Sequence, residues 1–378
     1  MATPSLAQVQ LDADQSRLVG RPGLLERKWR RMARSPFAFL RGASPLWAEA
    51  VRREARRLQG LPGRAWLVGD LHLENVGLFR AARGVTFHVN DFDETFEGPC
   101  AFDVVRLLTS TLLARDELKV SGVQVLALAH AMLDGYVAGA RGRAVGVPAF
   151  VQQLVAQVNA LPPEAVLKKK LDDTGALVRT PEKTPPAPAQ VVKLVPAALA
   201  LWRAGLPVKR RPPPAALEVL DVTRRLAGTG SLGVERLLVL TRGEGAPWLL
   251  EVKEVRGAAM VKSQPSAETL VAVMERALPR PPACFGASRL GRRPVIVTRL
   301  GPKEDKLGVD ELPPEALEPY LRFVGSLVGE VHRRTGAPQP WRREHRARAL
   351  DAAQHLAGLH QTAFLQFCDV VFDRFGAR

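Results

Sequence analysis

The sequence predicts a mixed α+β protein built in two lobes, helix-rich first and strand-rich second. Three observations carry this. Residues 101–160 hold dense helical patterns, AFDVVRLLTSTLLARDEL, VQVLALAHAMLDGYVAGA and AFVQQLVAQVNAL, apolar on more than one side. After about residue 222 the period changes, and apolar runs flank the Gly-rich turn of LLVLTRGEGAPWLLEV as in a strand hairpin. Between them, residues 161–221 are rich in proline and basic residues, including LPPEAVLKKK and VKRRPPP. A chain of 378 residues is long enough for two or three domains or one large bilobed fold.

In order along the chain, residues 1–25 are polar and aperiodic and are expected to form a flexible arm. Residues 26–160 open with a basic helix to about Arg34, followed by SPFAFLRG and a helix from Trp47 to about Leu58. RAWLVGD reads as a short strand entering a turn at Gly69. VGLFRAARGVTFHVND alternates as a hairpin around Gly84. Residues 222–305 form the strand-rich part, with a helix at about Ser266 to Leu278 and a strand RPVIVTRL. Residues 306–378 return to helix, a long one from about Pro314 to His332 and then one or two more from Trp341.

Composition sets the partner classes. There are 54 Lys and Arg against 38 Asp and Glu, a formal charge of +16, which suits nucleotide phosphates, nucleic acid or a membrane surface without choosing among them. The usage also fits a GC-rich genome. Three scattered cysteines give neither a disulfide framework nor a zinc pattern, as expected in a reducing compartment. The N-terminus lacks a signal-peptide pattern, and no uninterrupted run of 18 apolar residues occurs. A cytoplasmic protein with no membrane partner is expected.

Chemistry concentrates in GDLHLENVG at 69–77, NDFDE at 90–94 and GPCAFDVVRL at 98–107. The hairpin brings Asn75 beside Asp91. A carboxylate with an amide oxygen is a hard-oxygen pair suited to Mg²⁺. A nearby carboxylate, Asp70, can accept the proton of an attacking hydroxyl. D-x-x-x-x-N followed by a hairpin ending in D-F is the arrangement of kinase catalytic sites; the bland reading is that Asp and Asn are ordinary loop residues. Asp93 is a candidate for a second Mg²⁺ or for a cationic substrate, or an exposed turn acid. Glu94 reads as a turn acid. Arg41 is a candidate partner for phosphate or for the acidic loop.

GTGSLG at 228–233 is G-x-G-x-x-G, with Gly228, Gly230, Ser231 and Gly233 as candidate nucleotide-binding positions. It leads into a strand rather than a helix, which favours a phosphate-covering loop over a dinucleotide turn. Lys253 in WLLEVKEV follows as the candidate lysine for the α- and β-phosphates. Glu268 on the next helix is its candidate ion-pair partner, with Glu275 the second choice. The catalytic loop precedes the glycine loop, so the order suits a kinase only if the chain is read in a circle from about residue 222. The fold class expected is therefore α+β, a bilobed protein-kinase-like fold in circular permutation.

GDLHLENVG and NDFDE, with SPFAFLRG upstream and LEVKE downstream, resemble the bacterial family known as domain of unknown function 2252, over about Ser35 to Thr335. That family is similar to the aminoglycoside-phosphotransferase branch of the kinase-like superfamily. The resemblance implies Asp70 as base, Asn75 and Asp91 as metal ligands, Asp103 as a buried acid bracing the catalytic loop, and His72 in a structural hydrogen bond. The chain departs from the pattern at Val68, where a histidine is usual, at Glu235 after the glycine loop, and in the register of the 266–278 helix. The gap from Asp91 to Asp103 is short for a peptide-gripping activation loop, which favours a small-molecule acceptor. The expected function is an ATP- and Mg²⁺-dependent phosphotransferase. The alternatives are a non-catalytic nucleotide-binding module and a nucleic-acid binder using KRRPPP and WRREHRARAL. Two tyrosines and no aromatic-glycine recognition motif argue against specific base reading.

Overall fold

The structure is a computed structural model that describes residues 3–301 and 308–376. It is a mixed α and β architecture. The expected boundary at 305/306 lies outside the described residues.

The N-terminal arm is helical, contrary to expectation. α1 (Leu6–Arg17) is capped by Ser5, whose hydroxyl accepts from the Gln8 amide at 3.1 Å. It buries Ala7 and Leu11 together with Gln10 and Asp14. Half of this buried face is polar, which erases the apolar periodicity. Gln10 donates to the Gly42 carbonyl at 3.2 Å, and Asp14 accepts from Trp29 Nε1 at 3.2 Å and pairs with buried Lys28. α2 (Pro22–Met32), α3 (Pro36–Leu40), α4 (Ser44–Arg53) and α5 (Ala55–Leu58) follow, so the expected helix at 47–58 starts earlier and breaks at Glu54.

Two small antiparallel ladders come next. β1 (Arg64–Leu67) pairs with β4 (Phe96–Pro99), and between them β2 (Val76–Arg80) and β3 (Val85–Val89) form a hairpin with Val76 opposite Val89. α6 (Ala101–Leu113), α7 (Gly122–Ala140) and α8 (Ala149–Asn159) complete the first helical part. By length and composition α7 could cross a membrane; here 56% of its most apolar stretch is buried within the protein.

After the short α9 (Ala189–Val192) and α10 (Val195–Gly205), five strands form one antiparallel sheet. These are β5 (Val219–Arg224), β6 (Arg236–Glu244), β7 (Ala246–Glu254), β8 (Phe285–Leu290) and β9 (Arg293–Arg299), in the order β5-β6-β7-β9-β8, with α11 (Ala267–Ala277) between β7 and β8. Side chains alternate across the sheet. Leu237, Val239, Leu250, Val252 and Val297 pack under α10 through Val195, Leu199 and Trp202. Leu238, Leu240 and Leu249 on the other face are covered by Leu167 and Leu177 from the Pro-rich stretch. β8 was not visible in the sequence because FGASRL lacks strong alternation. Its Gly286 lies against Trp202, where a Cβ would stand 2.9 Å from the indole.

α12 (Pro314–Thr335) and α13 (Arg343–Phe375) end the chain, the latter as one helix. α12 runs against α7 at backbone contact. Gly135 and Gly139 of α7 meet carbonyls of α12, and Gly325 and Gly329 of α12 meet carbonyls of α7. A side chain at any of the four would collide with the partner backbone.

Candidate active site

The site grows from the turn after β1. Gly69 has φ +89°, and a Cβ there would strike the Glu94 carbonyl, so both conformation and space require glycine. The turn is held from below. The carboxylate of Asp103, 1% exposed in the first turn of α6, accepts from the amides of Val68 at 2.7 Å and Gly69 at 3.0 Å. Its Oδ2 also lies 3.1 Å from Nε2 of buried His332 on α12. Burial alone would lower the His332 pKa. The Asp103 carboxylate and then Cys100 outweigh it and raise the value to about 9, so the imidazolium donates to Asp103. Leu73 completes the brace by donating its amide to Ser110 Oγ at 3.0 Å.

Above this brace, Asp70 forms an ion pair with Arg106, whose side chain is fully buried and lies over the Trp47 ring with its guanidinium carbon 5.0 Å from the centroid. His72 Nδ1 accepts from the Glu74 amide at 3.1 Å, a structural hydrogen bond, and its ring meets Phe37 edge-on. Arg41 pairs with Glu74 at 2.6 Å, inside the acidic loop. Asn75 is 2% exposed. Its side-chain N–H donates to the Asp70 carbonyl at 2.7 Å, while its Oδ1 is buried with no hydrogen-bond partner among the described residues. The Asn90 amide donates to the Asn75 carbonyl at 3.0 Å, extending the β2–β3 ladder by one step, so Asp91 follows directly beside Asn75.

From the sheet, Lys253 of β7 reaches across. Its Nζ lies 3.8 Å from Asp91 Oδ1 and forms an ion pair with Asp93. The 228–233 loop connects β5 to β6, with Gly228 at φ +76° and Gly233 at φ +94°. Gly230 is its lowest point: a Cβ there would lie 3.2 Å from the Arg41 carbonyl and 3.7 Å from Asp70 Oδ2. Asp70, Asn75, Asp91, Asp93, Lys253 and Gly230 thus come from elements up to about half the chain apart and are joined by one series of contacts.

Other expectations change. Glu268 is exposed in the first turn of α11, and its pKa is lowered by its own backbone amide and by Ser266. It forms no ion pair with Lys253. α11 turns Ala267, Leu270, Val273, Met274 and Ala277 inward, so its buried face carries no acid. Glu275 pairs instead with Arg210 at 3.2 Å. Ser231 turns its hydroxyl back to the Ala227 carbonyl at 2.8 Å, bracing the loop itself. Glu235 pairs with Arg224 and Arg293 at 2.9 and 3.3 Å; one residue out of step with Arg236, which pairs across from Lys253, it belongs to the opposite face of the sheet.

Glu94 is not an exposed turn acid. It accepts from Ser44 Oγ and from the Ala259 amide at 3.4 Å, and burial followed by the charge of Asp70 raises its pKa to about 7. Arg106 and Glu94 are the functional neighbours that sequence reasoning missed. Arg106 did leave a signal, a lone arginine in the apolar helix AFDVVRLLTSTLL.

Among the described residues no three His, Cys, Asp or Glu side chains form a metal-binding group. Mg²⁺ needs less from a protein: one or two carboxylates, with phosphate and water oxygens completing the shell. Asp91 and Asp93 already sit against a cation, the Lys253 ammonium, and the unpartnered Asn75 Oδ1 is a hard oxygen beside them. The donor set fits Mg²⁺.

The model of a family described as uncharacterized protein conserved in bacteria (DUF2252) matches residues 20–369. No curated protein and no solved structure matches the chain.

Proposed function

The chain belongs to this bacterial family, DUF2252, and we propose that it is an ATP- and Mg²⁺-dependent phosphotransferase acting on a hydroxyl group of a small molecule. The observation that carries the reading is the reach of Lys253 from the sheet to Asp91 and Asp93, beside the unpartnered Asn75 Oδ1. A kinase-like pair of lobes in circular permutation accounts for the rest. Its glycine-rich loop joins the first two strands, its lysine sits on the third, and its helix precedes the fourth, when counting starts at β5. The catalytic loop and metal aspartate then follow through the chain's beginning.

Each residue has a task. Asp91, Asp93 and Asn75 would hold Mg²⁺, which supplies neutralisation of the phosphate oxygens. Lys253 and the amides of Gly228–Gly233 grip the phosphate tail. Asp70, oriented by Arg106, receives the acceptor hydroxyl. The acceptor oxygen bonds to the γ-phosphorus, the bond from that phosphorus to the β–γ bridging oxygen breaks, ADP leaves, and the hydroxyl proton passes to Asp70. Asp103 and His332 keep the loop rigid beneath this step.

Isothermal titration with ATP tests the reading, with Mg²⁺ or with EDTA, on the wild type and on Asp91→Ala. The expected result is Mg²⁺-dependent binding and slow ADP release in the wild type, both lost in the variant while its circular dichroism is unchanged. Binding equal in EDTA and in the variant refutes the metal site. Mg²⁺-dependent binding with no phosphoryl transfer to any acceptor, water included, would make the protein a non-catalytic nucleotide binder.

A further inference from the structure

Arg27, Arg31 and Arg34 recur at spacings of four and three residues along α2 and the turn that follows it, and so share one side. Arg31 donates to the Gly228 carbonyl at 3.0 Å, and Arg27 donates to the Glu182 carbonyl. Among the described residues none of the three pairs with a carboxylate. Burial, and then the guanidinium groups of Arg27, Arg34 and Arg41, push the Arg31 pKa down, so these cations crowd one another. The acids nearby are engaged or peripheral. Glu74 is held by Arg41, Glu26 by Arg30 and Glu235 by Arg224 and Arg293, Glu117 accepts from Ser35, and Glu182 is exposed. Uncompensated like charges in partial burial are costly, and an anion would relieve the cost.

The position of this face decides which anion. Gly228 lies two residues from Gly230, which faces Asp70. On the reading above, the nucleotide phosphates lie between the glycine loop and the group formed by Lys253, Asp91 and Asp93. An acceptor with its hydroxyl at Asp70 therefore extends outward past Gly228, along Arg31 and its two neighbours. Guanidinium forks match phosphate oxygens in pairs. We propose that this arginine face binds phosphate groups already present on the acceptor, so that the substrate class is a phosphorylated hydroxyl compound. The inference rests on the phosphotransferase reading for the direction of the acceptor. In the reaction the acceptor keeps its existing phosphates, gains the γ-phosphoryl on oxygen, and loses that hydroxyl's proton to Asp70.

The test titrates inositol hexakisphosphate, as a small polyphosphate probe, into protein saturated with Mg·ADP. It compares the wild type, Arg27→Gln/Arg34→Gln and Arg27→Lys/Arg34→Lys. Among the described residues neither donates a hydrogen bond to the glycine loop, whereas Arg31 does, so Mg·ADP affinity serves as the internal control. The expected result is binding by the wild type, a loss of about tenfold or more in the Gln pair, partial rescue in the Lys pair, and Mg·ADP affinity within about threefold throughout. Absence of binding, or equal binding by the Gln pair, overturns the proposal. A 20-nucleotide single-stranded DNA that binds far more tightly than the probe, with a steep salt slope, also overturns it in favour of a nucleic-acid surface. The same titration without nucleotide separates the two readings. Arginine-dependent probe binding in a protein that fails to bind Mg·ADP upholds the anion site and refutes the phosphotransferase reading alone.

Discussion

The bond between Asp103 and His332 makes stability depend on pH in a defined window. In the folded protein His332 binds its proton with a pKa near 9, against 6.5 for an ordinary histidine. The folded state therefore holds a proton that the unfolded chain releases. The resulting stabilisation is complete below pH 6.5 and is lost as pH rises through 9. A shift of this size corresponds to roughly 3 kcal/mol across the window. Asp103→Asn removes the charge that holds the proton while keeping an oxygen for one of the two turn amides. The variant should lose about 3–5 kcal/mol at pH 6, since a buried pair is broken, and its stability should run flat where the wild type declines. Urea denaturation at pH 6, 7.5 and 9 measures both slopes. If Asp103→Asn folds too weakly to measure, His332→Gln keeps a donor toward Asp103 and should also flatten the profile. A wild-type curve that is level from pH 6.5 to 9, or a variant with the same decline, refutes the argument.

Glu94 titrates with the same sign in a lower window, from 4.5 up to about 7, so Glu94→Gln should stabilise the protein above pH 7 by on the order of 1 kcal/mol and change little at pH 5; equal melting-temperature differences at pH 5 and 8 would contradict this. Gly329→Ala places a methyl group against the Tyr136 carbonyl of α7, and chemical denaturation should show a cost near the upper end of about 1–3 kcal/mol. A cost below about 0.5 kcal/mol would mean that the two helices part easily. Lys253→Met should weaken Mg·ATP binding by about tenfold or more, whereas Glu268→Gln should leave it within about twofold, because only the lysine faces the aspartates. Calorimetry that finds the Glu268 variant impaired as strongly as the Lys253 variant would restore a helix–strand ion pair.

Much of the site was legible because its geometry is local. The β2–β3 register follows from alternation around Gly84, and that register alone sets Asp91 beside Asn75. Gly69, Gly228 and Gly233 occur where backbone conformation demands them, so the turns could be read from residue type. The helical periods of α7, α11 and α12 marked their spans closely, whereas the pattern of α6 ran five residues past its end at Leu113. What residue order determined, then, was most of the elements around the site and the chemistry each of these carries.

The partners of those groups were decided only by tertiary placement. Lys253 was expected to meet an acid on α11, but a helix rotated to bury Ala267, Leu270 and Met274 turns Glu268 to solvent, and the aspartates of another segment take its place. Arg106 meets Asp70, and Glu94 meets Ser44, through the docking of α6 and α4 on the β1 turn. α1 hid its buried face because Gln10 and Asp14 are satisfied by later segments, the turn at Gly42 and helix α2. A hydrogen bond or ion pair depends on two positions at once, and for segments distant in the chain no local period encodes their separation. Only packing sets that distance, and in this protein it sets which carboxylate each cation meets.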